Sequence, residues 1–216
     1  MAFSWAKFSQ IYTCCGSLGT GAYIYFLIPK GEASSVSEVL DRAGFTGIEK
    51  ASVSDLKKLV AAYKKALERE KDDFKERIEE VTDPNASDEV IGEQIRGGCR
   101  RLTLGGDLSS KSRDTSRRFC VVPVTIEKTL EKQGFKFMDY SLSNKAYDDK
   151  WAANADRLLD SSNAPESLKK LRDNKDEKVK AIKTSCRDVA GAPTTSRLFN
   201  KFVEVARDYC SDKSGK

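Results

Sequence analysis

Residues 119–135, FCVVPVTIEKTLEKQGF, read as a join: a cysteine and a proline break end one unit, and a fresh amphipathic stretch begins another. Laying the chain over itself supports the reading. VSEVLDRAGFTGIE (36–49) falls over IEKTLEKQGFKFMD (126–139) at an offset of 90, so that Leu40 meets Leu130, Gly44 meets Gly134, Phe45 meets Phe135 and Ile48 meets Met138. SRRFC (116–120) falls over ARDYC (206–210) at the same offset, and IRGGCR (95–100) over IKTSCR (182–187) at an offset of 87. Ordered matches that begin and finish with one offset predict a tandem duplication. The expected organisation is a segment at 1–30, module one at 36–120, a short seam, and module two at 126–210.

Each module reads as helical. A short first helix ends at Gly44 or Gly134, the residue type that most readily takes the left-handed cap conformation. In SDLKKLVAAYKKALEREKDDFKERIEEV (54–81), Leu56, Leu59, Val60, Tyr63, Leu67, Phe74, Ile78 and Val81 follow one helical stripe, with Ser54 as cap and TDPN as stop. In module two the counterpart is DDKWAANADRLL (148–159), with Trp151, Ala155, Leu158 and Leu159 facing inward. A helix restarts at Pro165, a further one carries Cys186, and the last runs from about Thr194 through Leu198, Phe202, Val205 and Tyr209. No alternating strand stands out, although FCVVPV is β-prone. The Trp151, Phe202 and Tyr209 stripe has the spacing of a core.

Composition narrows the chemistry. The chain has 216 residues, a third of them charged, and a formal charge of +5, too modest to demand nucleic acid or an anionic membrane. It has no histidine, which removes the commonest general base, the Ser-His and Cys-His nucleophile pairs and mixed zinc sites. No catalytic, cofactor-binding or metal-binding residue emerges, and no small-molecule substrate is evident.

FSQIYTCCGSLGTGAYIYFLIP (8–29) carries no charge, and its length suits a helix crossing about 30 Å of hydrocarbon. An uncleaved single-pass transmembrane anchor, in contact with the membrane through residues 8–28, is the expectation, with the body outside the cell; a processed signal and a core helix are the alternatives. The fold class is therefore all-α: an N-terminal transmembrane helix followed by two tandem, duplicated helical modules. Within the anchor, GSLGTG lacks the order and the strand-turn-helix setting of a dinucleotide site, and suits close helix packing instead.

Four of the six cysteines, Cys99, Cys120, Cys186 and Cys210, occupy repeated positions without CxxC spacing. Buried free thiols and one disulfide per module both satisfy this pattern. A simple hairpin after Cys186 would leave Cys210 more than about 20 Å away at about 1.5 Å per helical residue. Pairing therefore requires the chain to run back along its partner helix. Residues 96–118, RGGCRRLTLGGDLSSKSRDTSRR, concentrate positive charge in what reads as a solvated loop. Its candidates for contact with an anionic partner are Arg96, Arg100, Arg101, Lys111, Arg113, Arg117 and Arg118. Without interleaved aromatics the stretch resembles no nucleic-acid module.

The SLGTGA of the first segment, FCVVPVTIEKTL at the seam, Trp151 and the terminal DYC together resemble an uncharacterised family of paralogous proteins of haemotropic mycoplasmas. The resemblance implies a membrane-anchored surface protein with a role in host contact or antigenic variation and no catalysis, and so a host surface or an antibody as partner. It implies no site residues and no cofactor. The alternatives are an intracellular binder of nucleic acid or another anionic partner through residues 96–118, and an enzyme that works without histidine.

Overall fold

The computed structural model describes residues 34–70, 77–105, 107–160 and 174–213. These are mostly helical, as the periodicity predicts, and they form two compact units. The N-terminal unit comprises 34–124 together with 193–200, and the C-terminal unit the described residues of 125–192 with 201–213. The expected anchor lies outside the described residues, and no helix among the described residues is long and apolar enough to cross a membrane.

In the N-terminal unit, α1 (Val36–Arg42) starts at Ser35, whose side chain accepts from Glu38 N. It ends where Gly44 takes φ 80°, with Gly44 N–H donating to Asp41 O and Phe45 N–H to Leu40 O, both at 2.9 Å. That crossed pair satisfies carbonyls which the helix end would otherwise strand, and a side chain at φ 80° would be strained. A 3-10 turn, Ile48–Lys50, follows.

Helix α2 (Val53–Glu70) then buries Leu59, Val60, Tyr63 and Ala66 at three- and four-residue spacing. Ser52, not Ser54, caps it, its Oγ accepting from Asp55 N at 3.1 Å. The predicted single helix over 54–81 is shorter than its stripe. Ile78 and Val81 are buried, but residues 77–81 are turn and extended chain. They are held because the Tyr63 hydroxyl accepts from Ile78 N at 2.9 Å and faces Ile78 O at 3.4 Å. Phe74 lies outside the described residues.

Helix α3 (Asp88–Leu104) is capped by Ser87 and buries Ile91, Ile95, Gly98 and Cys99. A Cβ on Gly98 would stand 2.3 Å from Ile78 Cγ2, so the close passage of the 77–81 segment requires glycine there. Helix α4 (Ser110–Phe119) begins at Ser109, whose Oγ accepts from Ser112 N. The core gathers Ile48, Leu59, Val60, Tyr63, Ile91, Ile95 and Phe119, with the Tyr63 and Phe119 rings edge to face at 4.9 Å. Residues 193–200 complete this unit: Thr194 N–H donates to Val124 O, and Phe199 is fully buried, 6.2 Å from the Phe45 ring.

In the C-terminal unit, α5 (Ile126–Lys132) is capped by Thr125 and ends at Gly134, φ 81°. Strand β1 (Phe135–Phe137) pairs antiparallel with β2 (Ser211–Lys213), a small addition to the strand-free expectation. Helix α6 (Asp148–Leu159) has the boundaries its sequence predicts and buries Trp151, Ala155, Leu158 and Leu159. Helix α7 (Lys175–Ala190) carries Cys186. Helix α8 (Phe199–Val205) begins five residues later than expected and continues as a π turn, Ala206–Cys210. The helix predicted from Pro165 lies outside the described residues.

Three backbone contacts recur 90 residues apart. Ile48 N–H donates to Cys120 O at 2.9 Å, and Met138 N–H to Cys210 O at 3.0 Å. Gly47 bridges Val121, and Phe137 pairs with Ser211. Val122 N–H donates to Thr46 O at 2.8 Å, and Lys136 pairs with Asp212.

Candidate interaction surface

Each unit is closed by a disulfide at the position of those recurring contacts. Cys99 on α3 bonds Cys120 just after α4, with Cα atoms 5.3 Å apart, and Cys186 on α7 bonds Cys210 at 5.5 Å. Of the two readings open from the sequence, pairing within each module is the one the chain adopts. Cys186 lies one turn before the end of α7. Cys210 closes the π turn that follows α8, and its Cα stands 5.5 Å from that of Cys186. A cleft of about 70 Å³ borders the first bridge, lined by Ser37, Leu40, Asp41, Glu49, Thr103 and both cysteines, among others.

Residues 96–118 are not a solvated loop. Among the described residues they are the second half of α3 and all but the last residue of α4, with Asp107 to Ser109 leading into it. The Ser and Asp residues that read as loop composition act as caps: Asp107 accepts from Ser109 N at 2.9 Å and Oγ at 3.0 Å, and from Ser112 Oγ. Those three bonds, the one from Ser112 foremost, hold its carboxyl below the ordinary range.

The seven basic candidates therefore do not form one exposed surface. Arg117 is buried, its Nη1 donating to Thr194 O and its guanidinium 5.1 Å from the centre of the Phe199 ring. Arg118 is also buried; it grips the Glu70 carboxylate with two nitrogens and donates to Thr195 O at 2.8 Å. Both hold the core of their unit and are unavailable to an anionic partner. Arg96 pairs with Glu93 at 2.7 Å and Arg100 with Glu49 at 3.3 Å. Arg101 pairs with Glu80 at 2.6 Å, a bond that keeps the Glu80 carboxyl below its usual value. Arg113 is half-buried, and Lys111 is exposed.

The C-terminal unit holds an arrangement that sequence reasoning missed. The link between Met138 and α6, residues 139–147, has nine residues, whereas the corresponding link between Ile48 and α2, residues 49–52, has four. It is braced from beneath by two buried side chains. The Trp151 indole Nε1 donates to Asp139 O at 3.1 Å. Lys183, 1% exposed, spends its ammonium on Ser141 O at 3.3 Å, Asn144 O at 2.6 Å and Asp148 Oδ1 at 2.6 Å. An ammonium has three protons, so all are used. Within the loop, Asp139 accepts from Asn144 Nδ2 at 2.6 Å and Ser141 N at 2.8 Å, and these bonds, the one from Asn144 first, hold its carboxyl below the ordinary range. Asn144 Oδ1 accepts from Ala146 N at 3.0 Å.

The signal available in the sequence was the phase of Lys183. It lies among Val179, Ile182, Cys186 and Ala190 on the inward stripe of α7, where a lysine needs partners. The second buried lysine, Lys178, pairs with Asp156 at 2.5 Å. The ammonium of Lys183 is committed to three acceptors. Among the described residues no group of three or more Cys, Asp or Glu is placed to hold a metal ion. Comparison with protein-family models, curated proteins and solved structures returned no match.

Proposed function

We propose that the chain is a disulfide-stapled binding protein displayed outside the cell, its body two copies of one helical unit behind a membrane anchor at residues 8–28. The observation that carries the reading is the pair of intra-unit disulfides, Cys99–Cys120 and Cys186–Cys210. Such bridges persist where the surroundings are oxidising and are reduced in most cytosols. The backbone contacts that recur at an offset of 90 support the two-copy origin. The resemblance to the uncharacterised paralogous family of haemotropic mycoplasmas implies the setting of host contact or antigenic variation. Burial of Arg117 and Arg118 weighs against phosphate recognition by residues 96–118, since that segment's densest charge points inward.

Two measurements test this. Protease added to intact cells should remove the body and leave a short membrane-bound stub; a body that survives until the cells are lysed refutes external display. Alkylation of the protein in denaturant without reductant, which exposes any free thiol, should leave Cys99, Cys120, Cys186 and Cys210 unlabelled. Full labelling of the four would refute the stapled reading.

A further inference from the structure

We infer that residues 193–200 are a strap seated in a segment-recognition groove of the N-terminal unit, and that the groove accepts the same segment of a second copy when its own is withdrawn. The inference concerns that unit alone and does not depend on where the cell places the chain. Its first support is length. The link between α3 and α4, residues 105–109, has five residues, and its counterpart between α7 and α8, residues 191–198, has eight. This is where the offset between the copies moves from 87 to 90. The added length is used in the N-terminal unit, to which residues 193–200 belong. There the Thr194 carbonyl accepts from Arg117 and the Thr195 carbonyl from Arg118, and Asn200 Nδ2 donates to Asp114 Oδ1 at 3.3 Å. The Phe199 ring is fully buried beside Phe45 and the Arg117 guanidinium.

The C-terminal unit is the same scaffold with no counterpart to the strap among the described residues. At the positions of Arg117 and Arg118 it carries Arg207 and Asp208, which pair with each other and whose side chains are 29% and 44% exposed. Phe135, in the place of Phe45, is half-buried. The disulfide, the capped first helix and its glycine stop are nonetheless complete. The scaffold thus closes without a segment at this face, and on the N-terminal unit the segment is an addition. Withdrawing it would uncover guanidiniums that water can solvate, and Arg118 would keep its pair with Glu70. The groove reads two adjacent carbonyls with two arginines and, four residues after the second, an aromatic ring. Two turns shape the strap from within: Ser196 N–H donates to Pro193 O at 2.9 Å and Phe199 N–H to Ser196 O at 3.1 Å. Tied at both ends, the resident segment competes at an effective concentration of about millimolar, which keeps the groove closed to others in the resting chain.

The test titrates a fluorescent peptide of residues 192–201 against the oxidised full-length chain and against F199S, with helical content followed by circular dichroism. The parent should show no binding below about 1 mM, because its own strap occupies the groove. F199S should keep its helical content and bind the peptide at least about tenfold more tightly than the parent does, and a peptide carrying F199S should bind that variant at least about tenfold more weakly than the parent peptide. If F199S loses helical content, F199L is read in the same way. Loss of helical content in both variants overturns the inference, because a groove that collapses without its strap cannot be offered to a second segment. So does a folded variant that binds no peptide, binds it no better than the parent, or shows no preference for phenylalanine.

Discussion

Replacing Cys186 and Cys210 together by alanine opens a loop whose ends are 24 residues apart, and replacing Cys99 and Cys120 opens one of 21. If the bridges act by constraining the unfolded chain, the lost stability follows from loop length. The closure entropy amounts to about 3.5 kcal/mol for the first and about 3.3 kcal/mol for the second at room temperature. The loops differ so little in length that the two variants must lose nearly equal amounts. For units of this size each kcal/mol moves the midpoint by about 4–8 °C, so the affected unit should melt roughly 13–28 °C below the parent. The four sulfurs lie on residues at most 1% exposed, so lost packing adds to the entropy and sets these values as lower estimates. Calorimetry of parent and both variants, oxidised and without reductant, reads the shifts directly. A variant that melts within about 3 °C of the parent would refute the account, because loop closure alone predicts several times that. So would a difference between the two variants above about 2 kcal/mol, because only native-state strain or residual denatured structure could then produce it.

Other perturbations follow from single contacts. R118M should cost about 3 kcal/mol in urea unfolding, since it strands the Glu70 carboxylate at 13% side-chain exposure, while R100A should stay within about 0.5 kcal/mol because its pair with Glu49 is exposed. Y63F should cost about 1–3 kcal/mol, because Ile78 N then loses its buried acceptor; an unchanged denaturation midpoint would refute the bracing of residues 77–81. Burial raises the Glu204 carboxyl above its ordinary value, with Arg207 and Lys201 opposing and Asp208 adding to the rise. The native state therefore holds a proton over a pH range in which the unfolded chain has released it, and stability falls as pH rises through that range. E204Q should melt higher than the parent at pH 7 and lose that advantage below about pH 4, where both states are protonated. An equal shift at both pH values would show a packing effect instead.

Much of the fold was legible because its causes are local. The α6 boundaries, Asp148–Leu159, follow from an acidic first turn and a four-residue apolar stripe. The stop at Gly44 follows from a backbone conformation that few other residues tolerate. The errors also have local origins. Ile78 and Val81 continue the α2 stripe by spacing, yet they reach the core as turn because Tyr63 satisfies the Ile78 amide and Gly98 lets the chain pass. DLSSKS reads as loop because Ser and Asp are loop formers and cap formers alike, and only their hydrogen bonds distinguish the two uses.

The sequence by itself determined the helical character of the chain, the phases of the inward faces, the glycine stops and the 90-residue echo, all set by near neighbours along the chain or by its own pattern. Tertiary structure alone decided which cysteines meet, that Arg117 and Arg118 turn inward, that residues 193–200 complete the N-terminal unit, and that Lys183 braces a loop some forty residues earlier in the chain. Each of these depends on groups distant in sequence being brought within bonding distance. A side chain's type states what it needs when buried, and only the packed chain supplies the partner that meets the need.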